Sequence, residues 1–560
     1  MKGVVRPIQH RTGLPVISVI LLVSVAVAMV SGPVSAEAPQ PVVTVQGIAE
    51  AGQDGLPNDA LVPPDLPGGD MPLALATSQS SIIPGFYQTS EYMIGRVAIG
   101  LLLLESDGSI DPSGEDWQEE EIALVRAQIA AAAEWWAARE PAARLSFVFD
   151  ERLPPTIAVP YEPISRPRSE QKLWIGAAMR TLGYDDDSYF TQVRRYVNDL
   201  RATYQTDWAF AVLVIDDSND PDHAFADGFS AYAYLGGPFM VLTLHNGGYG
   251  VEHLGGVAAH EMGHIFLAVD QYAAAGVPCT LLAGYLGIEN QNSQAGSCLS
   301  NQPSIMRSII DPFANGHVDL YARGQVGWWD GDQNGILDPL DTPVELDLPP
   351  LSTWAAAQEL HTGKIRILPH PSSKRQPVTI NRITGVFYRL DGGAWMPARA
   401  QDGTFDSAEE NIEWEMPSLA EGIYPLDLLV HTWPGGERLL QAVEVVVQTG
   451  EQTMPLQKVG QMHVMANTLT VTGWAAAAQG TVADVRFQID DGAWQSATAA
   501  DGAFDAAIEA FVLNATALNE GAHTLCLQTV DSSGQFAVLR QNFQIETPHT
   551  IYLPLVVKSQ

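Results

Sequence analysis

The chain has 560 residues, with 29 Lys+Arg against 65 Asp+Glu and a formal net charge of −36. Roughly 150 residues per domain predicts three or four domains, and a hydrophobic share of 46% excludes a wholly disordered or collagen-like chain. The acidity excludes a nucleic-acid partner, which needs a basic face, and argues against lasting attachment to anionic lipid.

Residues 1–36 read as a signal peptide. Lys2, Arg6 and Arg11 form a basic n-region, residues 16–30 are apolar apart from Ser18 and Ser24, and Val34-Ser35-Ala36 is a small-residue cleavage site. The apolar run is shorter than the ~20 residues of a spanning helix. The mature chain is therefore expected to be secreted, extracellular or held at the cell surface, with no stable membrane insertion; an uncleaved anchor is the alternative. Residues 37–84 are rich in Pro, Gly, Ala and Asp without a period and read as a linker or propeptide. That stretch has no Cys, so it cannot silence a metal through a thiolate.

Residues 85–330 alternate between strand-like and helix-like runs. Strands are predicted at 92–104, 145–149, 208–215, 229–235 and 239–244, and helices at 115–140, 169–203 (with a break at 183–187) and 252–266. The unbroken apolar run at 208–215 suits a strand buried on both faces. The run at 229–235 ends at Gly236-Gly237-Pro238, as an edge strand would. The order implies an α/β domain with a mixed sheet.

The strongest chemical signal is His260-Glu261-Met262-Gly263-His264 on the last of these helices. Two His at i and i+4 share one helical face, so both imidazoles can reach one Zn²⁺. Glu261 is offset beside them, where it can act as general base toward a water activated by the metal. Catalytic zinc usually takes a third protein ligand. Asp270 and Glu289 both lie downstream.

With Asp270 six residues after His264, and Met306 in Pro303-Ser304-Ile305-Met306-Arg307, residues 85–330 resemble the metzincin clan of zinc endopeptidases. The resemblance implies that His260, His264 and Asp270 bind zinc, that Glu261 is the base and that Met306 sits in a Met-turn beneath the metal. It also implies an edge strand that takes substrate in extended form, and a helix at 318–326. One position departs from the clan. Leu267 stands where a Gly lets the chain turn back. An unbroken helix would carry Asp270 about 9 Å along the axis from His264, leaving Asp270 a plain surface carboxylate and Glu289 the ligand to test.

Cys279 and Cys298 lie between Asp270 and Met306 and are expected to pair in an oxidising compartment, steadying a loop of about 20 residues by ~3 kcal/mol. Cys526 is left over, in an apolar run that suits a buried thiol.

Residues 330–342 read as a Ca²⁺ loop at a junction. Asp330, Asp332, Asn334, Ile336 (through its carbonyl), Asp338 and Asp341 occupy EF-hand ligand positions, with Gly335 at position 6. Pro339 and Trp328-Trp329 argue against flanking EF helices. Residues 216–222 form another acidic stretch, which reads as a solvated turn.

Beyond 343 the helical signal ends. Tyr388-Arg-Leu-Asp391-Gly-Gly393-Ala-Trp395 recurs 99 residues later as Phe487-Gln-Ile-Asp490-Asp-Gly492-Ala-Trp494, and Asp402-Gly403 recurs as Asp501-Gly502. This predicts two all-β sandwich modules, 343–450 and 451–546, followed by a tail at 547–560. They resemble bacterial immunoglobulin-like or fibronectin III-like modules. The repeated Trp is expected in a core or hairpin.

The expected activity is that of a secreted zinc endopeptidase acting on polypeptides, with Zn²⁺ and Ca²⁺ as cofactors and glycan or cell-surface ligands as partners of the β-modules. The alternatives are a catalytically inactive adhesion protein and a zinc hydrolase of non-peptide amides.

Overall fold

A computed structural model describes residues 59–65, 82–348, 359–447 and 455–545, apart from 187, 421 and 466. The signal peptide, most of the 37–84 segment and the 547–560 tail lie outside these residues. Among them, no helix is long and apolar enough to cross a membrane.

The first body is built on a six-stranded sheet of β1 (Ala60–Leu61), β2 (Arg96–Leu103), β3 (Ser146–Arg152), β4 (Trp208–Ile215), β5 (Ala231–Tyr234) and β6 (Phe239–Thr243). Their order across the sheet is β1-β5-β6-β4-β2-β3. Strands β6, β4, β2 and β3 run parallel, β5 is antiparallel to β6, and β1 is parallel to β5. Every residue of β4 is buried. Its side chains alternate between two apolar layers: Phe210, Val212 and Val214 enter one, Ala209, Ala211 and Leu213 the other. The period-2 geometry of a strand requires this split when both faces are covered.

Helices α1 (Glu119–Ala137) and α4 (Leu254–Ile265) cover the first face; α2 (Gln171–Thr181) and α3 (Tyr189–Tyr204) cover the second. Three acidic residues, Glu119 to Glu121, open α1, where they complement the helix dipole. The Trp136 indole N–H of α1 donates to the Ala259 carbonyl of α4 at 2.8 Å, fixing one helix against the other. Two short helices follow, α5 (Ile310–Asn315) and α6 (Leu320–Gln325), the latter within the helix expected at 318–326.

Two β-sandwiches succeed the first body. In the first, strands Val344–Asp347, Glu359–Ile367, Glu409–Met416 and Arg399–Ala400 form one sheet. Strands Met396–Pro397, Arg382–Leu390, Gly422–Trp433 and Gly436–Val447 form the other. The second sandwich, from Leu456–Met465 to Phe536–Ile545, repeats the same order. The repeat extends to backbone detail: Asp391 and Asp490 both take φ 52°. Glu410 and Glu509 each accept two amide hydrogens from the preceding loop. The repeated Trp is a hairpin residue and not a core one. Trp494 is 42% exposed, and Trp395 lies under the Arg389 guanidinium.

The junction at 342/343 is less clean than the change in sequence pattern implies. Residues 372–381 return to the first body, where Val378 and Ile380 join its core. There Arg375 pairs with buried Glu91 at 2.7 Å, and Tyr285 donates to the His370 carbonyl at 2.6 Å.

Candidate metal centre

Helix α4 is buried along its whole length. His260 and His264 project from one face, their Nε2 atoms 3.1 Å apart. Each Nδ1 donates to a carbonyl oxygen, His260 to Ile305 and His264 to Ala268, both at 2.8 Å. Those bonds place the protons on Nδ1 and leave both Nε2 lone pairs for a metal.

The open question at Leu267 resolves in the geometry. The helix stops at Ile265, and Leu267 adopts φ 71°. The Ala268 amide donates to the Gly263 carbonyl and the Leu267 amide to the His264 carbonyl, both at 2.9 Å. This is a Schellman ending with Leu in the position Gly usually fills. A non-Gly residue there costs of order 1–2 kcal/mol. Burial opposes that cost: Leu267 is 7% exposed and its Cδ2 packs over Gly236 at the end of the edge strand. Truncation should therefore invert the usual helix ranking. Leu267→Gly is expected to be about 1 kcal/mol more stable than Leu267→Ala; thermal melts of the two variants check it.

The turn brings Asp270 back. Its Oδ1 lies 3.2 Å from both His Nε2 atoms, and the residue is fully buried. Four ligands at zinc–nitrogen and zinc–oxygen distances stand about 3.3 Å from one another, so the spacing of these three atoms suits one tetrahedral ion. Neither Asp270 carboxylate oxygen has a hydrogen-bond partner among the described residues, and neither has one on Glu261. Four such oxygens in a fully buried pocket are costly without a cation. Burial pushes the Glu261 carboxyl well above the usual carboxylate range, and the Asp59 charge adds to the shift.

Met306 is fully buried beneath this group. Its thioether occupies the space that a Cβ on Gly263 would need, and its carbonyl accepts from the Gln271 amide at 2.8 Å. Gly263, between the two His, is thus required for close approach. The Cys279–Cys298 disulfide is present with Cα atoms 5.5 Å apart, closing the loop between Asp270 and Met306. Cys526 is free and buried. Glu289 is exposed and accepts from Gln291, outside the metal cluster.

Two residues at the site belong to no motif legible in the sequence. Asp59 stands 3.7 Å from His260 Nε2 and 3.4 Å from His264 Nε2, and completes a four-residue group able to hold a metal ion. The Tyr272 hydroxyl donates to Asp59 Oδ1 at 3.1 Å. Asp59, His260, Glu261 and Tyr272 line a cavity of about 440 Å³ that extends along Phe229 and Ala231 of the edge-strand segment.

The acidic residues elsewhere behave differently from one another. Asp217 is fully buried, not solvated, and accepts from His245 Nδ1 at 2.6 Å; the His223 ring stacks on His245, tying the loop before β5 to the segment after β6. In the 330–341 loop the carboxylates close on the loop itself. Asp330 and Asp332 accept from the Asn334 amide, Asp338 from the Gly331 amide, and Asp341 pairs with Arg438 of the first sandwich at 2.6 Å. The six positions do not form a ready-made cluster around one point. Calcium binding here requires these carboxylates to turn from amides to the ion. The expected result is a Ca²⁺-dependent rise in melting temperature, worth about 2.7 kcal/mol at a hundredfold excess over Kd, that disappears in the Asp332→Ala/Asp338→Ala variant.

No protein-family model matches the chain, and no curated protein matches it. Solved structures similar to it include fibronectin(III)-like modules of Clostridium thermocellum CbhA, at 14% identity over 38% of this chain and 98% of that one, with a TM-score of 0.15. The PKD1 domain of the Vibrio cholerae metalloprotease PrtV is 12% identical over 17% of this chain and 99% of its own, with a TM-score of 0.13. The D0-D1 domain of intimin is 12% identical over 36% and 97%, with a TM-score of 0.19.

Proposed function

We propose that the chain is a secreted zinc-dependent endopeptidase of metzincin type. The observation that carries this reading is the convergence of His260, His264 and Asp270 on one point, with the unpartnered Glu261 carboxylate beside it. Zinc bound there would supply Lewis acidity toward a peptide carbonyl and make a water molecule acidic.

The protein's own groups do the rest. The two carbonyl acceptors hold both imidazoles in the ligating tautomer. Glu261 takes a proton from the attacking water on a carboxylate oxygen and delivers it to the leaving nitrogen. Once β1 leaves it, the β5 edge aligns an extended polypeptide through main-chain hydrogen bonds, the mode by which sheet edges bind peptides. Met306 and the disulfide-closed loop hold Asp270 in register with the helix. The two β-sandwiches then serve as modules for glycan or protein ligands at the cell surface.

Zinc content and casein hydrolysis by the purified chain test the reading. One zinc per chain with Glu261-dependent cleavage supports it. One zinc with no cleavage of any protein would leave a binding protein or a hydrolase of other amides.

A further inference from the structure

A carboxylate that binds a metal is usually oriented by hydrogen bonds of its own. Asp270 has none: neither oxygen has a partner among the described residues. Its aim at the metal point must come from its main chain. The role assigned below to the groups that hold that main chain rests on the zinc-peptidase reading.

The main chain is held on both sides of Asp270. Before it, at the end of α4, the His264 carbonyl accepts from the Leu267 amide at 2.9 Å and from the Gly236 amide at 3.3 Å. The Gly236 carbonyl accepts in turn from the Thr89 hydroxyl at 3.2 Å. After it, Asn290 Nδ2 donates to the Asp270 carbonyl at 2.9 Å, and the Val269 amide donates to Gln325 Oε1 at 3.1 Å. Gly236 and the loop that carries Asn290 are thus two supports of the third ligand.

Residues 370–381, from the first sandwich, reach both supports. The Arg375 guanidinium forks onto the two oxygens of Glu91 at 2.7 Å each, and the Glu91 side chain is 1% exposed. Such a fork fixes orientation as well as charge. It sets the guanidinium over Gly236, where an added Cβ would stand 3.2 Å from Arg375 Nη2 and 3.2 Å from Leu267 Cδ2. Arg375 and Leu267 therefore pack on the same glycine, and that packing offsets the left-handed turn that returns Asp270. At the other support, Ser372 donates to the Tyr285 carbonyl at 2.6 Å, and the Tyr285 hydroxyl accepts from the Val378 amide at 3.0 Å. Tyr285 is fully buried and lies with Asn290 inside the disulfide-closed loop. A close-packed interior passes a displacement at either support on to the residue between them.

We propose that the first sandwich sets the position of the Asp270 ligand through residues 370–381, with Arg375 as the positioning residue. Plain attachment of one body to the other would not single out Arg375. Arg382 of the same sandwich also pairs with a buried carboxylate of the first body, Asp207, and its guanidinium lies by the Trp433 ring. It is the control for attachment alone.

The test uses the full chain with Asp59→Ala as parent, so that Asp59 cannot stand in for a displaced Asp270. The variants added are Arg375→Ala, Glu91→Gln/Arg375→Ala and Arg382→Ala. The double variant leaves no buried charge unpaired and serves if Arg375→Ala folds badly. Chelator competition gives the zinc affinity, the visible spectrum of the Co²⁺-substituted protein reports the ligand set, and melting temperature reports the fold.

Both Arg375 variants are expected to lose at least ~10-fold in zinc affinity, the scale for groups that orient metal ligands, and to change the Co²⁺ spectrum. Arg382→Ala should melt lower with affinity and spectrum unchanged. Parental affinity and spectrum in the folded double variant would overturn the positioning role and leave the peptidase reading standing. So would an equal loss in Arg382→Ala, since any loosening of the junction would then suffice. A parent protein that binds no zinc would sink the peptidase reading itself, and the positioning role with it.

Discussion

Glu261→Ala is expected to retain a full equivalent of zinc while losing at least ~10²-fold in peptide hydrolysis, the scale of a general acid–base contribution. The residue touches none of the three atoms that converge on the metal point, so its removal leaves the ligands in place. It should also leave the metal-free fold at least as stable as before. Glu261 is fully buried, and neither carboxylate oxygen has a hydrogen-bond partner among the described residues. Burying such a group costs free energy that the Ala variant no longer spends. A melting temperature no lower than wild type, with zinc retained and hydrolysis gone, separates a chemical role from a structural one. Hydrolysis within a few-fold of wild type would sink the mechanism. The comparison is cleanest with Asp59→Ala in both proteins, because the Asp59 carboxylate otherwise stands at the metal point.

Asp270→Ala carries the second large effect. Changes to groups that merely orient metal ligands cost 10–100-fold in affinity, so loss of a ligand should weaken zinc by more than about 100-fold. Asp59 complicates the measurement. It stands beside the same two imidazoles and can take over as third ligand when Asp270 is gone. The two substitutions share their partners and are not expected to add. Chelator competition should show a modest loss in Asp270→Ala and a much larger one when Asp59→Ala is added. Glu289→Ala should change nothing, since that side chain is exposed and outside the cluster. Full zinc retention in the double variant would remove Asp270 from the ligand set.

The strands of the first body other than β1, which falls in the stretch read as a linker or propeptide, and its buried helix were legible because their signals are local and dense. An eight-residue apolar run became β4 with the same bounds, 208–215. The pairing of His260 with His264 follows from helical period alone. Leu267 was ambiguous for a physical reason. Leu favours helix, and only tertiary packing over Gly236 offsets the left-handed turn that returns Asp270. Asp59 was not legible at all. The 37–84 segment also contains Asp54, Asp65 and Asp70, and no spacing singles one out. Its position depends on a contact about 170 residues distant in sequence, with β5. The calcium spacing was plain in the sequence, yet the carboxylates meet amides and Arg438, competitors that a spacing rule does not contain.

The return of residues 372–381 to the first body bears on how such chains can be recombined. The two sandwiches look interchangeable, but only the second is a candidate for exchange. It meets its neighbour through a small cluster around Ile423, Leu456 and Trp474 and the Lys458–Asp391 pair. A chain ending at 342 would lose Val378 and Ile380 from its core and leave buried Glu91 without Arg375. The first sandwich is thus a part of the first body's fold that happens to be copied next door. Module swapping in this architecture has its natural seam between 447 and 455, one sandwich later than the change in sequence pattern suggests.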